Sequence, residues 1–289
     1  MATLKEVLTR IKAVRSTRRI TSAMEMVAAA KLRKAQQRVE QAKPYAAKLD
    51  EMLTNLASAS TGDIQHPFFE TREVKNKTLL LVTSDRGLCG SYNSNLMRQA
   101  DRWLSELGDT KGEMIIFGKK GLEYYRGREC NILEHHIDWE ETIDYQAARK
   151  VVDHITRRFV LAETDQIDII YTQFISMGRF KVTKEQFLPV AQTEPGEESS
   201  TTRKDYIFEP DPTEIYERLL PYYTTTKLIT VLAESFASEQ ASRMLAMNAA
   251  TKAAGDMIDA LTLQYNKERQ GQITKELLEI VSGAEALKG

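Results

Sequence analysis

A chain of 289 residues is long enough for one or two domains with a buried core. Charged residues make up 28% of it but nearly cancel, leaving a formal net charge of −1 and no overall case for a nucleic-acid binder. Two cysteines, Cys89 and Cys130, stand far apart without metal-ligand spacing, which argues against a disulfide framework and reads as free thiols in a reducing compartment.

The N-terminal stretch, Ala2 to about Ser58, predicts one long helix. Leu4, Val7, Leu8, Ile11 and Val14 share a face, and Arg10, Lys12, Arg15, Arg18 and Arg19 line much of the rest. Residues 1–45 hold eleven Lys and Arg against three Asp and Glu, so the remainder of the chain carries −9. Such a one-signed face is either solvated or set against an acidic partner surface. A nucleic-acid-binding arm ranks below both, because aromatic residues are not interleaved with the basic ones. From Leu32 the apolar positions Ala35, Val39, Ala42, Ala46, Leu49, Leu53 and Leu56 alternate spacings of three and four, the seam of a coiled coil. Pro44 falls inside this helix and should bend it. Thr61-Gly62-Asp63 and His66-Pro67 should end it. Met1 to Val14 has charges every few residues and no apolar core of a secretory signal. No run approaches the ~18 apolar residues that a membrane-spanning helix needs. The expectation is a soluble or peripheral protein.

From Lys77 the period changes. Thr78–Thr83, Met114–Gly118 and Ile167–Phe174 are short apolar runs that read as interior strands, and Ile132-Leu133 reads as the opening of another. Asn93–Leu107, Gly121–Arg126 and Tyr145–Leu161 read as helices between them. Ser176-Met177-Gly178 turns the chain into Phe180–Val190, a hairpin partner. Strand and helix in alternation predict a mostly parallel, Rossmann-like α/β sheet. Glu194–Lys204 reads as a polar loop and Tyr206–Phe208 as a last extended piece. Asp211, Pro212 and Glu214 suit the start of a helix, which Pro221 interrupts.

The final stretch, Ser235–Leu287, has no proline and three glycines in 53 residues. Met247, Ala250, Ala254, Met257 and Leu261 recur at spacings of three and four. At ~1.5 Å per residue this helix would run roughly 80 Å, too far for one globular body to cover, so it needs a second helix beside it. The two seams together predict an antiparallel two-helix coiled coil of the chain's ends (1–60 and 211–287) with an α/β domain inserted at 74–208.

Motifs of catalysis are weak. Ser84–Gly90 (SDRGLCG) lies between a strand and a helix, where phosphate loops sit, but lacks both GxxxxGK[ST] and GxGxxG. A tight turn that positions the sheet is the better reading. Cys89 beside Arg86 could have a lowered pKa, yet no histidine motif accompanies it. His135 and His136, adjacent on a strand, point to opposite faces and make a poor metal pair. The sequence offers no acid–base pair or nucleophile elbow, which points to a non-catalytic chain without cofactor or metal.

Arg19–Leu32 (RITSAMEMVAAAKL), Thr83–Gly90 with Asn93, and Tyr265–Ala284 (YNKERQGQITKELLEIVSGA) resemble signature stretches of the gamma subunit of F-type ATP synthases. The resemblance runs end to end in the right order, and the length is similar to that of bacterial members. It implies a central rotor shaft, present once per complex, inside a ring of three alpha and three beta subunits. The foot would rest with the epsilon subunit on the membrane c-ring, at the cytoplasmic face. It also implies roles for individual residues. Met24, Arg243, Arg269, Gln270 and Thr274 match positions that meet the beta subunit. Ile273, Leu277, Ile280, Val281 and Leu287 would form the apolar tip in its bearing. Tyr206, Phe208 and Glu209 match the foot. Two stretches depart from the family: Lys252–Gly255, where an Asn-containing run is common, and Gly271, where alanine is usual and glycine loosens a helix by about 1 kcal/mol. The other readings are a non-rotary coiled-coil adaptor with an α/β module and an α/β enzyme with helical arms. A lone apolar C-terminal helix extending past its partner would not serve the adaptor, and the missing catalytic motifs count against the enzyme.

Overall fold

The computed structural model describes residues 3–59, 66–139, 144–190 and 212–286. Its secondary elements are α1 (Leu4–Ala59), β1 (Asn76–Val82), α2 (Tyr92–Ser105), β2 (Lys111–Phe117), α3 (Lys119–Tyr125), β3 (Asn131–His136), α4 (Tyr145–Val160), β4 (Gln166–Ser176), β5 (Arg179–Leu188) and α5 (Pro212–Ala286). The chain divides into two compact units, Met1–Ala29 with Arg243–Gly289, and Ala30–Ser242.

The first unit is an antiparallel pair of helices. Thr3 opens α1 with a capping box: its N–H donates to Glu6 Oε2 at 3.0 Å, and Glu6 N–H donates back to Thr3 Oγ1 at 3.4 Å. Asn248 Nδ2 donates to Glu25 Oε1 at 2.8 Å, and Thr251 and Thr21 join hydroxyls at 2.8 Å, so each step up α1 is a step down α5. Val7, Ile11, Thr21 and Ala28 of α1 are buried, as are Met247, Ala254 and Ile258 of α5. The seam on α5 keeps Met247 and Ala254 of the sequence reading but departs from it one turn later. Met257 is 54% exposed, and Ile258 takes the interior position. Both phases alternate threes and fours. The observed one places the Thr251 hydroxyl against Thr21 and buries a branched aliphatic side chain.

In the second unit the sheet order is β3-β2-β1-β4-β5. β1 pairs in parallel with β2 and β4, β2 pairs in parallel with β3, and β5 closes the edge antiparallel to β4. Because side chains alternate between faces, Leu79, Leu81, Met114, Ile116 and Ile170 form one apolar layer, packed with Leu96, Trp103 and Tyr125 of α2 and α3. Leu80, Ile115 and Ile169 face the other way and are equally buried. α4 starts at an Asp144 cap that accepts from Ala147 N–H at 2.6 Å, and it buries Val152, Ile155 and Phe159. Gly118, at φ 94°, ends β2 so closely against Thr83 that a Cβ there would collide with the Thr83 carbonyl.

Pro221 does not interrupt α5, which continues through it, as α1 continues through Pro44. The proline removes one backbone bond. Tyr216, Leu220, Thr224 and Leu228 recur every four residues around it and are all buried, so packing on both sides holds the helix across the gap. Thr61–Asp63, Glu194–Lys204, Tyr206–Phe208 and Asp211 lie outside the described residues.

Candidate functional site

In a doubly wound sheet a ligand sits beyond the carboxyl ends of the strands, where strand order reverses. Here that place is between β1 and β4, and the Ser84–Gly90 turn lies at it. The turn is closed on itself. Ser84 N–H donates to Asn93 Oδ1 at 3.1 Å, Asn93 Nδ2 donates to Ser84 Oγ at 2.7 Å, and Ser84 Oγ donates to the Arg86 carbonyl at 2.7 Å. Leu88 and Gly90 take positive φ to complete it. Cys89 is 1% exposed, so its thiol is no open nucleophile.

The space beyond the strands is taken by α5. Ser242 Oγ donates to the Cys89 carbonyl at 2.7 Å, and Tyr92 Oη donates to the Ser235 carbonyl at 3.1 Å. Thr172 of β4 donates its N–H to Ser235 Oγ at 3.3 Å, and its carbonyl accepts from Ser238 Oγ at 3.1 Å. A nucleotide would have to displace a buried helix face. This seat went unread in the sequence; the only local signal was serine at 235, 238 and 242, three and four residues apart.

The histidines are placed much as their spacing implies. His135 is exposed, while His136 stacks on Phe117 with centroids 4.9 Å apart and turns Nε2 to Glu134 at 3.2 Å. His154 of α4 joins the same carboxylate at 2.8 Å, a partner that sequence spacing did not suggest. Burial holds the His136 pKa below the usual histidine range. No group of three metal-ligating side chains suited to an ion occurs among the described residues.

Beneath the hairpin of β4 and β5, a cavity of about 270 Å³ is lined in part by Tyr171, Glu185, Lys227, Thr226 and Glu234. Glu234, 6% exposed, has its carboxyl 3.7 Å from Lys43 Nζ of α1. Burial raises its pKa, and Glu185 of β5 adds to the rise; Lys43 and the Phe174 backbone pull the other way.

The residues carried over from the family resemblance fall in distinct settings. Arg10, Lys12, Arg15, Arg18 and Arg19 are all exposed along α1. Met24 is half-buried on the same helix, and Arg243 is only 7% exposed. Arg269, Gln270 and Thr274 are exposed on consecutive turns of α5, where Thr274 Oγ1 donates to the Gln270 carbonyl at 2.9 Å. The antiparallel register puts Leu4 opposite Glu268, so α1 runs out there and, among the described residues, the rest of α5 has no neighbour in this unit. Ile273, Leu277, Ile280 and Val281 are accordingly 48–68% exposed, and Leu278, which the family resemblance did not single out, is 62% exposed beside them. These side chains form a contiguous exposed apolar stripe, which single scattered surface apolar residues do not. Gly271 sits within this stretch without breaking the helix, and a Cβ there would meet open space. Gly255 faces the Arg18 guanidinium, with 3.8 Å between a Cβ added there and its central carbon. Leu287, Tyr206, Phe208 and Glu209 lie outside the described residues.

The chain matches the family model described as ATP synthase over residues 3–287. It is 43% identical to the ATP synthase gamma chain of Protochlamydia amoebophila (strain UWE25) over 288 residues, covering 100% of both. It is 41% identical to the ATP synthase gamma chain of Chlorobaculum tepidum over 293 residues, again covering 100% of each. Among solved structures, it resembles a chain of the Tetrahymena thermophila mitochondrial ATP synthase central stalk and c-ring, with 26% identity and a TM-score of 0.61 over 80% of this chain and 99% of that one. A chain of the Euglena gracilis mitochondrial ATP synthase shares the fold at 18% identity, with a TM-score of 0.69 over 98% of this chain and 94% of that one. With a closed turn where a nucleotide would sit, a two-helix coil and a full-length match to these relatives, the chain belongs to the ATP synthase gamma-chain family.

Proposed function

We propose that this chain is the central rotor shaft of a bacterial F-type ATP synthase, a non-catalytic subunit that carries torque between a membrane c-ring and the catalytic sites of an alpha–beta ring. The observation that carries this reading is the end of α5, where an exposed apolar stripe continues past Leu4, the first residue of α1. An adaptor that only holds partners together has no need of such an end. Arg269, Gln270 and Thr274 meet the beta subunit, as do Met24 and Arg243 further along the coil. Ile273, Leu277, Ile280, Val281 and Leu287 turn in an apolar bearing. Tyr206, Phe208 and Glu209 belong to the foot, against the c-ring and epsilon subunit. In this scheme residues 1–60 and 211–287 are the arms of the shaft, and 74–208 its platform.

The physics of coupling is differential binding. A shaft shifts three chemically identical catalytic subunits into different states only if it binds those states unequally. A coil of two unlike helices presents a different set of side chains in each direction: basic residues on α1, and mixed charges with Leu263 and Met257 on α5. Association with the membrane is peripheral, at its cytoplasmic face; no helix among the described residues is long and apolar enough to cross a bilayer.

Co-expression with alpha and beta subunits tests the proposal. The expected result is a purified complex containing one copy of this chain that hydrolyses ATP and, reconstituted with its membrane sector, pumps protons. Removing residues 270–289 should leave the complex assembled but weaken coupling. A chain that never joins the alpha–beta ring overturns the rotor reading in favour of the adaptor. ATP binding or hydrolysis by the isolated chain overturns it in favour of an enzyme.

A further inference from the structure

We infer that Ser235, Ser238 and Ser242 are positioning residues that key α5 to the sheet, so that twist on the helix is carried into the platform rather than lost as slip. The inference rests on the rotor reading and assigns residues outside the surfaces that meet other subunits.

The ladder between β1 and β4 stops at Leu81 and Ile170. β4 runs on, and two residues later both backbone groups of Thr172 point where β1 no longer provides partners. α5 supplies them. Ser235 Oγ accepts from Thr172 N–H at 3.3 Å, and Ser238 Oγ donates to the Thr172 carbonyl at 3.1 Å. One turn further, Ser242 Oγ donates to the carbonyl of Cys89 in the closed turn at 2.7 Å. Tyr92, at the start of α2, adds a bond to the Ser235 carbonyl at 3.1 Å. Ser235 and Ser238 are fully buried, Thr172 is 1% exposed and Ser242 is 6% exposed.

Apolar helix–sheet contacts carry no directional preference of their own. Hydrogen bonds weaken steeply once bent below about 120°. Serines at i, i+3 and i+7 lie on one face and hold about 10 Å of the helix axis. Rolling α5 would strain these bonds together and leave the Thr172 N–H and C=O unpaired away from water, so the seat adds a directional resistance to rotation on top of the packing. Because α5 is one helix from Pro212 to Ala286, whatever turns its far end loads this seat.

The test uses the whole complex, reconstituted in liposomes, with ATP hydrolysis and ATP-driven proton uptake measured on the same preparation. The triple variant S235A/S238A/S242A is expected to assemble and hydrolyse ATP at close to the wild-type rate while proton uptake per ATP falls at least twofold. A seat that only stabilises the fold would instead lower assembly and both activities together, and that outcome overturns the inference. An unchanged uptake-to-hydrolysis ratio overturns it too. Should the triple variant not assemble, S242A against S242T decides: the inference expects the ratio to fall in S242A and to be kept by the hydroxyl-bearing S242T, and equal ratios overturn it. A wild-type chain that fails to enter the complex contradicts the rotor reading itself, which separates the two failures.

Discussion

Thr251 and Thr21 meet hydroxyl to hydroxyl at 2.8 Å in the seam of the coiled coil, a polar contact where a coil would ordinarily place two aliphatic side chains. Thr21 is 9% exposed, and the Thr251 hydroxyl also lies 2.8 Å from the Met247 carbonyl. Replacing one partner removes a hydrogen bond; replacing both with a side chain of similar shape removes the need for it. T21V alone should cost about 1 kcal/mol, and T21V/T251V should recover most of that. A double-mutant cycle from urea denaturation checks the coupling. Additive losses would show that the two hydroxyls do not depend on one another.

Gly118 is a strict backbone position among the described residues of the sheet unit. Its φ of 94° is poorly suited to a side chain, and an added Cβ would run into the Thr83 carbonyl. Thr83 has no freedom to give way, because its Oγ1 donates to the Phe117 carbonyl at 2.7 Å and accepts from Gly121 N–H at 2.9 Å. G118A should destabilise the chain by about 3 kcal/mol or more. Chemical denaturation followed by tryptophan fluorescence reads this directly, since Trp139 Nε1 donates to the same Thr83 carbonyl at 3.2 Å.

Glu234 gives the platform a pH dependence of definite sign. Burial raises its pKa, so the folded chain holds this proton more tightly than the unfolded chain does. Its contribution to stability is present at low pH and is lost as pH rises through the raised pKa. The charged groups around it are Lys43 of α1, Glu185 of β5 and Lys227 of α5, with Tyr171 of β4 bonded to Glu185 at 3.0 Å. E234Q, which stays neutral, should be more stable than wild type at pH 8, with the gap closing as pH falls into the usual carboxylate range. Denaturation midpoints across that interval test it; a gap that widens on acidification would reverse the sign.

The tip separates folding from partner binding. Ile273 is 48% and Leu277 57% exposed, so I273S/L277S removes little apolar surface from the interior of the isolated chain. Its unfolding should change by no more than about 0.5 kcal/mol. The same double substitution should lower ATP-driven proton pumping by the assembled complex. Equal activity of variant and wild type would show that these side chains bear no load.

The strands were readable because each interior run is short, apolar and bounded by turn residues: Thr78–Thr83, Met114–Gly118 and Ile167–Phe174 fall on β1, β2 and β4. Helical phase was less readable. Two series alternating threes and fours overlap on α5, and choosing Ile258 over Met257 needs the identity of the facing residue on α1. Pro221 was misread because propensity counts the lost backbone bond but not the buried residues on either side. The apolar residues of the tip were visible in sequence, but their exposure depends on where another helix ends. The serine seat was the least legible part, since it joins residues more than sixty positions apart through backbone groups of β4 that composition does not reveal.

Among the described residues β5 is an outermost strand of the sheet, and such a strand is a ready template for a second molecule. Its exposed cations are Arg179, Lys181 and Lys184, and Lys184 pairs with Glu106 at 2.9 Å. Two such strands brought edge to edge would set like charges against one another. Like charge along that strand therefore disfavours the one kind of self-pairing that an open sheet edge invites.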